Sequence, residues 1–361
     1  MGDDALRALL RRAVAHHDLD HDEAYGLFFD DAAELRTFGH EGLAAARGLF
    51  RGGSVVERST AVDLFCRVAW DTPDDLREAC FGALVAAWEE ELAGPCEADV
   101  IAGSITAFGH LYDARAVPLI LPFAAHTSED VRFSLAHALP GIVGFQPVPD
   151  VVAVLLGLSA DPDDDVRDWA TFGIGQLGAD GDDVRRALVA RIDDPHPDVR
   201  GEALVALGRL GDERAYEPLL VDLAGIAPGE DMGIPLEIEA AVVFADVRLF
   251  PVLESLASEW VDESSRGLLD QALRRCDPSL RSTARERERH LLESVRSRLP
   301  AAGLPGTVGL EGTFPRTELV VEAPGGDRFV WEIWNEEAPD ELDVDLAARR
   351  VEEVARSGFA E

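Results

Sequence analysis

A chain of 361 residues can bury a large core, as two or three compact domains or as one elongated array of repeats. Its 69 acidic residues against 33 basic ones give a formal charge of −36, which disfavours non-specific binding to nucleic acid or an anionic membrane and attracts a basic partner. No lysine occurs, so Schiff-base chemistry is excluded, and the widely spaced Cys66, Cys80, Cys96 and Cys276 lack zinc or redox spacing and read as buried, reduced packing residues.

The amino terminus, MGDDALRALLRR, carries acids where a signal peptide needs basic residues before an apolar run, and Leu6 stands where a myristoylation motif needs Ser or Thr. The longest apolar run, VVAVLLGL from Val151, is too short to cross a bilayer. A cytoplasmic protein with no membrane partner is expected. Residues 1–53 read as an amino-terminal helical or capping segment. Within it AHHDLDHDE gathers His16, His17, Asp18, Asp20, His21, Asp22 and Glu23, and His17 and His21 would share a helix face as candidate metal ligands. Asp20 and Glu23 also fit a capping box that opens a helix through Ala24, Leu27 and Phe28. A turn between two helices explains the cluster without metal, so neither metal nor cofactor is expected.

Residues 54–278 repeat. DPDDDVRDWATFGIGQLG from Asp161, slid forward by 33 residues, meets DPHPDVRGEALVALGRLG from Asp194 with nine of eighteen positions identical; slid back by 35, it meets SEDVRFSLAHALPG. Val166, Ala170, Gly173, Ile174 and Leu177 fall on one helix face, with Asp161 expected as the N-cap before Pro162 and Gly178 as the stop. Asp161, Asp163 and Asp165 also stand at alternate places of a calcium loop, but Val166 and Phe172 occupy the places of its glycine and its glutamate. Second helices follow in DDVRRALVARIDD from Asp182 and DERAYEPLLVDLAG from Asp212, with relatives in DARAVPLILPFA from Asp113 and ADVRLFPVLESLA from Ala245.

The unit is a helical hairpin of 31 to 35 residues that cannot bury its apolar stripe alone. On Asp130, Val131 and Arg132, on Asp165, Val166 and Arg167, on Asp198, Val199 and Arg200, and on the second-helix pattern Asp212, Arg214, Ala215 and Pro218, the chain resembles the HEAT-repeat family, in the short bacterial form also seen in bilin-lyase subunits. The resemblance implies a mainly α fold, an α-solenoid of stacked helical hairpins forming a superhelix. It also implies a ladder between repeats, carried here by Asp130, Arg132, Asp165, Arg167, Asp198 and Arg200. Second helices that line the concave side would make Arg185, Arg186, Glu217 and Asp222 candidate contacts. Trp169 and Phe172 have no counterpart in Ser134 and Glu202 or in His137 and Val205 of the other copies; they are candidate partner anchors, unless they pack on the adjoining repeat. One HEAT-repeat enzyme family, the deoxyhypusine hydroxylases, holds iron with several His-Glu pairs, whereas here only His40 is followed by a glutamate, Glu41.

Residues 279–300 read as a polar, locally basic helix with a stripe of Arg281, Arg285 and Arg289 and no interleaved aromatic residue, which does not suit nucleic acid. Residues 305–361 read as a small α+β module: TELVVE and RFVWEIWN flank the turn APGGD, a helix starts at Asp343, and Trp334, on the strand face opposite Phe329, Trp331 and Ile333, is a candidate contact. No phosphate loop or nucleophile elbow occurs, and no catalytic residue is expected. These features point to a non-enzymatic protein-interaction scaffold or adaptor holding an extended or basic partner on the solenoid surface. Two alternatives stay open, an inhibitor or immunity protein neutralising a basic toxin or nuclease, and a chromophore-lyase-like enzyme subunit suggested by the resemblance.

Overall fold

Capping chemistry sets where the helices begin. Ser54 opens helix α4 (Val55–Val68) by accepting from the Glu57 backbone N–H, while the Glu57 carboxylate takes the Ser54 N–H at 2.8 Å. The same two groups hold the Glu57 carboxyl below its ordinary pKa. Helix α10 (Asp164–Leu177) opens on Asp163, whose carboxylate accepts from the Val166 N–H at 3.0 Å, and closes on Gly178 at φ +60°. The expected cap, Asp161, lies two residues too early and serves the ladder described below.

The computed structural model describes residues 2–17, 22–94, 96–226, 235–260, 266–279, 307–313, 316–322 and 328–332. The chain is mainly helical and forms two compact units, Met1–Leu210 and Gly211–Glu361, whose boundary falls inside the stretch 54–278 expected to repeat.

In the first unit α1 (Gly2–His17), α2 (Asp22–Arg36) and α3 (Gly39–Phe50) pack on one another and on α4. From there α4, α6 (Ala98–Leu111), α8 (Glu129–Ile142), α10 and α12 (Pro197–Arg209) form a row, each first helix packed on the next. Second helices α5 (Asp74–Ala93), α9 (Pro149–Leu158) and α11 (Asp182–Arg191) lie against that row: α5 on α4 and α6, α9 on α8 and α10, α11 on α12. The second helix expected from Asp113 is broken into a 3-10 turn at Ala114–Ala116, a four-residue α7 (Val117–Ile120) and a 3-10 turn at Leu121–Ala125. Pro122 explains the break, because it lacks the N–H that a longer helix needs and its ring crowds the preceding turn, whereas Pro118 stands in the first turn, where proline is tolerated.

The two layers are buried differently. Helix α6 buries Val100, Ile101, Ile105, Phe108 and Leu111, on more than one side, whereas α9 buries only the stripe Val151, Leu155 and Leu158. First helices approach closely through small residues: a Cβ added at Gly109 would lie 2.9 Å from the Cβ of Ala138, and one at Gly175 would lie 3.1 Å from the Cβ of Ala206.

In the second unit α13 (Tyr216–Gly225) packs on α14 (Leu236–Phe244) and α15 (Phe250–Glu259), and α16 (Arg266–Cys276) packs on α14 and α15. Three antiparallel strands follow, β1 (Thr307–Thr313), β2 (Arg316–Glu322) and β3 (Arg328–Glu332), in register Thr307 with Glu322 and Glu322 with Arg328. The β2–β3 pairing is the expected hairpin; β1 was not foreseen, since Gly309 and Gly312 interrupt its alternation. The polar helix expected at 279–300 (beyond Ser279), the closing helix expected from Asp343 and the contact candidate Trp334 lie outside the described residues.

Cys66, Cys80 and Cys276 are buried thiols, and burial pushes the Cys80 thiol up to about 12 and the Cys66 thiol well above its ordinary value. Cys96, expected inside, is exposed in the loop before α6, at φ +55°. No helix among the described residues is long and apolar enough to cross a membrane.

Candidate partner-binding surface

The first helices are tied together by a charge ladder, but its carboxylates are not the expected ones. Arg132 on α8 donates Nε and Nη2 to Asp161 at 2.7 and 2.9 Å, and Arg167 on α10 donates the same two groups to Asp194, both at 2.9 Å. The acid is thus the aspartate of the Asp-Pro turn that opens the next copy. Asp130, Asp165 and Asp198, expected in this role, are exposed in the first turns of their helices. Two residues from their arginines, they point another way around the helix. Nη1 is used alike in all three arginines: in Arg132 it donates to the carbonyls of His126 and Thr127, in Arg167 to those of Asp161 and Pro162, and in Arg200 to those of Asp194 and Pro195. The carboxylates also accept backbone N–H groups, Asp163 onto Asp161 and His196 onto Asp194. A related rung joins Arg58 on α4 to Glu91 at 2.8 Å, and Glu91 accepts from the Glu97 N–H. Burial works to raise the pKa of Asp161 and Asp194, but the arginine and the backbone N–H outweigh it and hold both below the usual carboxylate range.

A second set of contacts explains the recurring Asp-x-Arg before the second helices. Asp113, Asp212 and Asp246 each cap a 3-10 turn by accepting from the backbone N–H two residues on, and each binds the side chain of that same arginine, Arg115, Arg214 or Arg248. Arg115 reaches back to Glu78 on α5 and lies 4.1 Å over the Phe81 ring; Arg248 reaches Glu213 and lies 3.9 Å over Tyr216.

Trp169 and Phe172 are half-buried and gathered with two side chains of α8. The Trp169 ring stands edge-on to His137 at 4.4 Å, to Phe133 at 6.1 Å and to Phe172 at 5.5 Å. These four rings fill the step between α8 and α10, which is the packing alternative for Trp169. Burial and the neighbouring His110 keep the His137 imidazole below its ordinary pKa. One turn away, Asp168 is pushed up to about 6, first by burial, then by Asp198 and Asp165, with His196 opposing. Its Oδ1 is buried with no hydrogen-bond partner among the described residues.

The exposed aromatic side chains among the described residues lie elsewhere, at the carboxyl ends of three successive first helices; an exposed aliphatic residue, Val221, is on α13. Trp70 follows α4 and is 66% exposed, Tyr112 follows α6 at 65%, and Phe145 follows α8 at 50%. Tyr112 and Phe145 have φ of +51° and +57°, a region costing a bulky L-residue about 1–2 kcal/mol. Trp70 and Tyr112 flank a cleft of about 300 Å³ that also includes Phe29, Arg67, Arg77 and His110. An adjoining hollow of about 350 Å³ shares Phe29, Arg67 and Trp70 and adds Arg36 and Asp71. Arg36 fixes the rim by donating to the Trp70 carbonyl at 2.8 Å, and Arg67 stacks 3.9 Å over Phe29 while its Nε meets Asp63 at 2.9 Å. Burial, then the charge of Arg67, lowers the His110 pKa. The signal that could have found this place was readable: Tyr112 stands where the later copies have Gly178 and Gly211, the stop position that glycine favours.

The remaining candidates are scattered. Arg185 is half-buried, bound to Asp180 at 2.7 Å and to the Leu210 carbonyl, whereas Arg186 and Glu217 are exposed and Asp222 is half-buried. His17 packs edge-on against Phe28 and lies 3.9 Å from Asp63, while His21 lies outside the described residues. No group of three or more potential metal ligands occurs among the described residues.

A model of HEAT repeats matches residues 85–175 and again 151–225. No curated protein matches the chain. Among solved structures, YibA of Escherichia coli aligns at 22% identity over 76% of this chain and 92% of its own, with a TM-score of 0.55, a likeness of fold. The archaeal HEAT-like repeats protein from Thermococcus onnurineus NA1 aligns at 12% identity, over 75% and 97% of the two chains, with a TM-score of 0.38. The complex of CpcE and CpcF of phycocyanin lyase from Nostoc sp. PCC7120 aligns at 15%, over 73% and 93%, with a TM-score of 0.36. Scores this low carry no argument about function. The sequence match, the rows of first and second helices and the ladder agree: residues 85–225 of this chain are HEAT repeats.

Proposed function

We propose that the chain is a non-enzymatic protein-interaction scaffold that holds an extended segment of a protein partner across the carboxyl ends of α4, α6 and α8. The exposed row Trp70, Tyr112 and Phe145 carries this reading. Aromatic side chains left open to water, two of them on backbone that disfavours any side chain, contribute little to stability and suit partner anchors. A shallow surface along repeats fits a peptide or helix better than a small molecule. Trp169, Phe172, Arg186, Glu217 and Asp222 are secondary contact candidates away from this row. The net charge of −36 supports a partner whose bulk is basic. In that case association slows as salt rises from 50 to 300 mM, roughly one to six times the ionic strength at which the Debye length is about 14 Å.

Affinity capture from the native host with quantitative mass spectrometry tests the reading. A partner recovered by the intact chain and lost with Trp70→Ala/Tyr112→Ala supports it. Recovery unaffected by that pair but lost with Arg186→Ala/Glu217→Ala would move the contact to the second helices. A basic toxin or nuclease as the captured protein would turn the scaffold into an inhibitor.

A further inference from the structure

We infer that the cleft between Trp70 and Tyr112 receives an acidic segment of the partner, with a carboxylate beside a bulky apolar residue. This rests on the scaffold reading above and adds the chemistry of what is held. The ground for it is charge placement. On a chain with an excess of 36 acids, three arginines, Arg36, Arg67 and Arg77, converge on this cleft and its adjoining hollow. Among the residues lining the two hollows the acid is Asp71 at the rim, and Asp63 pairs with Arg67, so arginines outnumber acids in the lining itself.

Two of these arginines have structural work. Arg36 holds the Trp70 carbonyl, and Arg67 is held by Asp63 and Phe29. Arg77 does not: it is exposed on the first turn of α5, and its side chain makes no hydrogen bond or ion pair to the described residues. A guanidinium in that position offers paired N–H donors to a carboxylate. The Trp70 and Tyr112 side chains that line the same cleft give an apolar side chain its contact. Volumes of about 300 and 350 Å³ suit one or two side chains of a peptide, not a folded domain. The acidic remainder of the chain opposes such a segment only at range, because at physiological salt the field decays within about 8 Å. It also keeps acidic segments off the rest of the surface, which confines them to this place.

The test is a titration of the full chain with dye-labelled hexapeptides read by fluorescence anisotropy. One peptide carries Asp and Glu around a central Phe, a second replaces the acids with Asn and Gln, and a third with Arg. The acidic peptide is expected to bind at least about tenfold more tightly than either analogue. Arg77→Ala and Trp70→Ala, both at exposed positions, should each weaken it about tenfold, or about 1.4 kcal/mol, with melting midpoints unchanged. Arg77→Lys should recover part of the loss, and the control Arg51→Ala, exposed after α3, should bind the acidic peptide as tightly as the unaltered chain. Equal binding of the neutral peptide, preference for the basic one, no binding of any, or indifference to Arg77→Ala would overturn the inference. Because the capture experiment uses no peptide, a native partner lost on Trp70→Ala/Tyr112→Ala would leave the scaffold standing even then.

Discussion

Removing one carboxylate from the ladder should unfold the repeats far more easily than removing the aspartate that the Asp-Val-Arg pattern emphasises. In Asp194→Ala the Arg167 guanidinium, whose side chain is only 10% exposed, loses both carboxylate bonds at 2.9 Å and keeps only the carbonyls of Asp161 and Pro162. Arg191 loses its 3.0 Å contact and the His196 N–H loses its acceptor. An uncompensated buried charge of this kind costs about 3–5 kcal/mol. In a unit of this size each kcal/mol lowers the melting midpoint by about 2–4 °C, so a drop of about 10 °C is expected at pH 7 by circular dichroism or calorimetry. Asp198→Ala removes a side chain 64% exposed and should shift the midpoint by no more than about 1–2 °C. The difference has a pH signature. Because the Asp194 pKa is held below its ordinary 3.8, the rung's contribution is complete above about pH 4 and is lost as pH falls through the lowered value. The gap between wild type and Asp194→Ala should therefore close in acid. Equal midpoints for the two alanine variants at pH 7, or a gap that widens as the solution is acidified, would refute the ladder as drawn.

Further outcomes follow from other contacts. Trp169→Ala removes the ring that meets Phe133, His137 and Phe172, and should destabilise the chain by about 2–3 kcal/mol in urea unfolding; a loss below about 0.5 kcal/mol would return Trp169 to the role of a free anchor. Asp168, pushed up to about 6 by burial and by Asp198, opposes folding increasingly as pH rises from its ordinary 3.8 through that value, so Asp168→Asn should raise the melting midpoint at pH 7.5 and leave it nearly unchanged at pH 3.5. Gly109→Val places a Cβ 2.9 Å from the Ala138 Cβ and should destabilise strongly, by about 2 kcal/mol or more, whereas Gly82→Ala on α5, with open space around it, should be neutral or slightly stabilising in the same melt.

The repeat, its helical stripes and the glycine stop at Gly178 were legible because they depend on neighbours within one turn of helix: periodicity, a cap, a left-handed residue. The small residues Gly109 and Gly175 were visible too, but not that they mark helices in close contact. What the sequence could not rank was which of several nearby aspartates meets an arginine one repeat away. Asp161, Asp163, Asp164 and Asp165 look alike in composition, yet one completes the ladder, one caps the helix and two face water. That sorting depends on how the turn orients each carboxylate toward the preceding first helix, a distance of 29 residues from Arg132 to Asp161. The same reason applies to the surface. Trp169 drew attention as an odd letter in a repeat and lies half-buried against His137, while Trp70 and Tyr112 became the exposed pair only once α4 and α6 stood side by side. Local sequence determined the helices and their stops; exposure and charge pairing were decided by which repeats came to lie against one another, because both are properties of neighbours that the chain does not place next to each other.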